Sequence, residues 1–166
     1  MIENMDMRKR IYYHFPKSDV HFEQKYRYYE DLPYLVRTMA GLDGRHEMFT
    51  TESPDQGGHT VKAKREIAVY IVENNLDFAH LSPASVDAVL VGIESDGTLD
   101  FKISLKYSRL DEKYRMIAFT GDDYLVRMHL DGDLLTLMVH LNSGPGMTEC
   151  RQVAGRIVEA LRQGNA

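Results

Sequence analysis

The sequence predicts an α+β fold: an antiparallel meander sheet packed against an amphipathic C-terminal helix, with two short helices near the N-terminus. Three observations carry that expectation. Apolar and polar residues alternate through residues 98–141, and the runs are broken where Gly sits beside Asp, which is the pattern of strands joined by tight turns. In the closing stretch "GMTECRQVAGRIVEALRQG", Cys150, Val153, Ala154, Ile157, Val158 and Leu161 form one helical stripe. A sheet with one apolar face and a helix with one apolar stripe each bury what the other exposes.

In chain order, "RKRIYYHF" (residues 8–15) alternates Ile11, Tyr13 and Phe15 against Tyr12 and His14, a short strand. Next, Ser18 or Asp19 can cap a helix in which Phe22, Tyr26 and Tyr29 share a face at i, i+4 and i+7. Pro33 cannot lie inside it, so a second helix starts near Asp31, with Leu32, Leu35, Val36 and Met39 as its stripe and Gly41 as terminator. "TTESPDQGGHT" (residues 51–60) reads as a surface loop between strands. "REIAVYIV" (residues 65–72) is β-branched and apolar on both faces, which reads as an interior strand with a helix as the alternative. Residues 73–85 have no clear place, and "LSPASVDAVLVGI" mixes helix-start residues with a strand-like end.

The meander follows. Two-residue turns at Asp96-Gly97, Gly121-Asp122 and Asp131-Gly132 set Phe119 opposite Tyr124, Met128 opposite Leu135 and Tyr124 opposite Val139 on one apolar face. Leu99, Phe101, Ile103, Leu105 and Tyr107 extend that face. In this register Arg127, His129 and the pair Asp123–His140 lie on the opposite, wet face.

Composition bounds the function. A chain of 166 residues with 43% apolar and 27% charged residues suits one domain spanning 1–166, burying roughly 70% of its unfolded surface. The net charge of −5 gives no general attraction for phosphate backbones or anionic lipid, so no nucleic-acid or membrane partner is expected. The basic run "MRKR" (residues 7–10) reads as a solvated strand end. A single cysteine, Cys150, excludes an intramolecular disulfide and a thiolate metal site, and its place on the helical stripe argues for burial. No apolar leader-like run and no ~18-residue apolar stretch is present, so the expectation is a cytoplasmic protein.

The order strand, two short helices, antiparallel meander and C-terminal helix resembles that of helix-grip proteins, the START and Bet v 1-like superfamily, over most of the chain. The resemblance implies a curved sheet wrapped on the terminal helix, often with an apolar cavity between them. It rests on element order and not on a shared motif.

No motif names a reaction. His14, His21, His46, His59, His80, His129 and His140 do not fall at paired metal-ligand spacings, so no metal and no cofactor are expected. The nearest cluster is "DGRHE", with Asp43, His46 and Glu47, which His59 could join; a polar helix-to-strand connection explains it as well. "NSGPG" (residues 142–146) could offer backbone N–H groups to an anion, or simply turn the chain from sheet to helix. Six tyrosines (Tyr12, Tyr13, Tyr26, Tyr28, Tyr29 and Tyr34) crowd the first 34 residues. Tyrosine suits half-buried places such as pocket mouths and interfaces.

The leading expectation is a non-enzymatic binding domain. It would hold a small, largely apolar ligand between sheet and C-terminal helix, with Tyr26, Tyr29, Phe101 and Met128 at the site. A protein-interaction or homo-oligomeric module, for instance a homodimer, using the tyrosine-rich surface is the first alternative. A small acid/base enzyme using Asp123, His140 and Arg127 is the second.

Overall fold

The computed structural model describes residues 15–53, 59–73, 77–93, 96–111 and 113–163. Its elements are β1 (Phe22–Arg27), α1 (Leu32–Leu42), β2 (His46–Ser53), β3 (His59–Glu73), β4 (Asp77–His80), α2 (Val86–Gly92), β5 (Thr98–Leu110), β6 (Met116–Asp131), β7 (Leu134–Ser143) and α3 (Cys150–Arg162). The strands form one curled, seven-stranded antiparallel sheet in the order β1-β7-β6-β5-β3-β2, with β4 pairing on β3. α3 packs on β7 and β1, and α1 lies against α3, α2 and β3. The fold is therefore α+β, with the C-terminal helix on the sheet. The proposed strand at residues 8–15 lies outside the described residues apart from Phe15, which is buried.

Side-chain parity explains the core. Leu99, Phe101, Ile103, Leu105 and Tyr107 of β5 are all buried on one face, as are Tyr124, Val126 and Met128 of β6 and Leu135, Leu137 and Val139 of β7. Val153, Ala154, Ile157 and Ala160 of α3 close over them. α1 starts where Asp31 accepts a hydrogen bond from the Tyr34 N–H, with Pro33 in the first turn.

The first expected helix is a strand instead. Phe22 and Tyr26 point the same way under either geometry, because a spacing of four fits both the 3.6 and the 2.0 period. What decides is β7, whose free edge pairs with residues 22–27 from Phe22↔Val139 to Arg27↔Leu134. The exposed Glu23, Gln24 and Lys25 then suit an edge strand. Of the two short N-terminal helices expected, α1 forms. A separate short helix, α2, arises from "VDAVLVG", where helix-start residues win over β-branching.

All three turns are also revised: two do not form and one is displaced. β6 runs straight through Gly121-Asp122, so Phe119 does not face Tyr124; Tyr124 pairs with Ile103 and Leu141. The β5–β6 hairpin turns at Asp111, whose carboxylate accepts the backbone N–H groups of Lys113 and Arg115, while Tyr114 takes the positive φ of 60° that a glycine would usually supply. Gly97 is not a hairpin turn either. It enters β5 at φ +104°, where a Cβ would stand 2.6 Å from the Leu130 carbonyl oxygen. The third turn forms one residue later than expected, with Asp131↔Leu134 closing it, so Met128 faces Leu137 and Tyr124 faces Leu141. That shift moves each partner by two places and preserves every face.

Candidate functional site

A cavity of about 70 Å³ lies beneath α3 against β2, β3 and β5. Its floor is apolar: Leu42, Ile67, Ile103, Leu105, Val153 and Ile157. Its rim carries Glu47, Arg65, Arg156, Gln152 and Thr148. The register of the β2–β3 hairpin creates the rim, because Glu47 and Arg65 are cross-strand partners. Arg65 donates from Nε and Nη2 to Glu47 Oε2 at 3.2 and 3.1 Å, and from Nη1 to Thr148 Oγ1 at 3.0 Å. Its guanidinium lies 5.1 Å from the centre of the Phe49 ring. Arg156, one residue before the buried Ile157, brings its Nε to 2.6 Å from Glu47 Oε1. That contact lacks hydrogen-bond alignment, and the Nε is buried without an acceptor. Two guanidinium groups thus share one carboxylate.

Beside the cavity, the loop into α3 is fastened by a buried acid. Asp122 accepts from Tyr107 Oη (2.7 Å), Tyr124 Oη (3.3 Å), Gly146 N (2.7 Å) and Met147 N (2.9 Å). Of "NSGPG" the Gly146 N–H, with that of the next residue, Met147, is taken by the chain's own Asp122 side chain, and the stretch turns the chain from sheet to helix. Gly144, at φ +99°, lies so close to Asp122 that a Cβ would overlap its carboxylate. Tyr107 also bonds Thr148 Oγ1 at 2.8 Å, and Tyr124 donates to the Thr148 carbonyl, which holds that rim residue in place. Burial pushes the Tyr107 phenol up to about 12 and raises Tyr124 further. Burial also raises the Cys150 thiol, away from the range of a reactive thiolate.

The residues singled out from sequence are dispersed. Phe101 and Met128 are fully buried in the sheet core. Tyr26 is half-buried on β1, and Tyr29, beyond the end of that strand, is 78% exposed. None of these four lines the cavity. Tyr29→Ala is accordingly expected to change unfolding free energy by less than about 0.5 kcal/mol, and Tyr26→Ala to cost more, in denaturant titrations of both variants. Among the described tyrosines of the N-terminal group, Tyr28 is the buried one, donating to the Asp31 carbonyl at 2.7 Å. The "MRKR" run, Tyr12 and Tyr13 lie outside the described residues.

Asp123, His140 and Arg127 do not form the expected wet face. His140 pairs across the sheet with Leu125, and Asp123 instead accepts hydrogen bonds from Ser104 and Ser143. Arg127 is buried, donating to both carboxylate oxygens of Asp100 at 2.7 and 2.8 Å, with the Phe15 ring 5.4 Å from its guanidinium. The "DGRHE" residues also separate. Asp43 accepts from the Val69 N–H and meets His80, while Glu47 joins the two arginines. The polar helix-to-strand connection is what forms.

Among the described residues, Asp19, His21 and His140 come within ligating reach of a common ion. Their protons argue against one. His140 Nδ1–H donates to the Asp19 carbonyl at 2.7 Å. His21 Nδ1 accepts from the Leu141 N–H, so the ring's proton sits on Nε2, 3.3 Å from the Asp19 carboxylate. A metal at Nε2 would leave His21 an imidazolate. The two rings, stacked 4.6 Å apart, fasten residues 19–21 onto β7.

No helix among the described residues is long and apolar enough to cross a membrane. The chain matches no family model, no curated protein and no solved structure.

Proposed function

We propose that this chain is a non-enzymatic binding domain that holds a small, largely apolar ligand between the sheet and α3. The observation that carries the reading is the cavity of about 70 Å³ floored by six apolar side chains. An engineered cavity of about 150 Å³ takes up benzene, so the room here suits about three or four carbon atoms. Concave, mostly apolar sites with a few placed polar groups are what ligand pockets look like. An acid/base enzyme built on Asp123, His140 and Arg127 has no such support, since each is engaged with different partners.

Native mass spectrometry of protein purified from cells, and a thermal-shift screen of lipophilic compounds of up to about six heavy atoms, test the reading. A ligand-induced rise in Tm is expected for the wild type and its loss in Val153→Phe, whose ring would fill the cavity. No copurified mass and no shift from any compound would refute it. A second reading draws on a different observation: Leu110, Tyr114, Met116 and Ile117 stand exposed together around the β5–β6 turn. If that tip is a homodimer contact, light scattering should give a mass of two chains, and Met116→Lys should halve it.

A further inference from the structure

We propose that the ligand is a short-chain organic anion, its aliphatic tail in the cavity and its carboxylate received by Arg65 and Arg156. This rests on the binding-domain reading and adds the chemical class. The rim holds two guanidinium groups against the single carboxylate of Glu47, a surplus of one positive charge on the rim itself in a chain whose net charge is −5. The Asp122 carboxylate beside the cavity is engaged with its own donors. The surplus sits where ionic contacts are strong, because Arg65, Glu47 and Arg156 side chains are only 22%, 31% and 27% exposed.

The donors are also unevenly served. Arg65 spends three N–H groups on Glu47 and Thr148, which leaves two of its five. Arg156, which lines the cavity, holds its Nε 2.6 Å from Glu47 Oε1 in an ion pair without hydrogen-bond alignment, so that buried N–H is poorly served. A buried donor without an acceptor costs free energy that a suitably placed oxygen restores. A carboxylate offers such oxygens in a plane that matches a guanidinium fork. An ammonium head would face two like charges, and a hydroxyl would gain less. With room for three or four carbons below, the fitting molecules are carboxylates of butanoate to pentanoate length. Glu47 then acts as a resident competitor, its carboxylate occupying part of the place the ligand's takes.

Titration of the 15N-labelled full chain with pentanoate, 1-pentanol and pentylamine, read by NMR shift changes of cavity residues, tests this. Pentanoate should bind at least about tenfold more tightly than pentanol, and pentylamine most weakly, with the pentanoate advantage shrinking in high salt. Glu47→Gln, which removes the competing charge and keeps the side-chain length, should tighten pentanoate and leave pentanol unchanged. Arg156→Gln should erase the pentanoate advantage while pentanol still binds. Equal affinities for pentanoate and pentanol, or no gain in Glu47→Gln, would overturn the anion assignment and leave the apolar-ligand reading standing. Binding of none of the three probes would overturn both.

Discussion

Asp122→Ala is expected to lower the unfolding free energy by roughly 3–5 kcal/mol, a large share of the ~5–15 kcal/mol available to a domain. The variant would leave three donors without their acceptor, the Tyr107 hydroxyl and the Gly146 and Met147 N–H groups, while the Tyr124 hydroxyl would keep the Thr148 carbonyl. Asp122 is 1% exposed, so water would have to enter to replace the carboxylate. The loss would spread along the chain, because the same bonds fix the path from β7 to α3 and hold Thr148 at the cavity rim. Urea unfolding at neutral pH measures the cost. A loss under about 1 kcal/mol would mean that the loop is held by its backbone turns and not by the acid.

The same network fixes a response to alkali. Tyr107 ionises near 10 in the unfolded chain and near 12 when folded, and Tyr124 is raised in the same direction, first by burial. A phenol that holds its proton more tightly when folded favours the folded state at pH values below 10. That contribution is lost as pH rises from about 10 through 12, where the folded protein must also release the proton. Circular dichroism should therefore show stability falling over that window.

How much of this was legible follows from what each feature depends on. The core faces of β5, β6 and β7 and the stripe of α3 depend only on periodicity. They survived even a turn misplaced by one residue, because a shift of two between partners does not invert a strand. β1 was illegible because Phe22 and Tyr26 satisfy both periods, and the edge of β7 that settles the matter is more than a hundred residues away. The β5–β6 turn carries no Gly or Pro signal; Asp111 supplies its bonds instead. "TGDD" reads as a turn because Gly beside Asp is ambiguous: here a Cβ at Gly121 would stand only 3.1 Å from the Leu105 carbonyl oxygen, and Asp122 turns inward. The cavity draws on α1, β2, β3, β5 and α3, so no local pattern could reveal it. One signal was present. Counting outward from residue 56, the middle of the surface loop the sequence predicts, in equal steps sets Glu47 opposite Arg65, a charge pair that only makes sense once both flanks are strands.

Arg127→Met is expected to cost about 3–5 kcal/mol, and Asp100→Leu a similar amount. Arg127 and Asp100 are cross-strand partners on the sheet face away from the helices, joined by two parallel hydrogen bonds, with side chains 2% and 1% exposed. Removing either one leaves an ion out of water facing an apolar side chain. Such a cost reflects the orphaned charge and not the worth of the pair, since taking two ions out of water offsets most of their attraction. The double variant Asp100→Leu, Arg127→Met should therefore be more stable than either single one, with a coupling energy above about 2 kcal/mol in a double-mutant cycle. Phe15 enters the same argument, because its ring covers the guanidinium and is itself buried. Phe15→Ala should let water reach Arg127 and shrink that coupling. Additive single effects would show that the two ions are stabilised by separate neighbours, and a single-variant cost under about 1 kcal/mol would mean that this face opens readily to solvent.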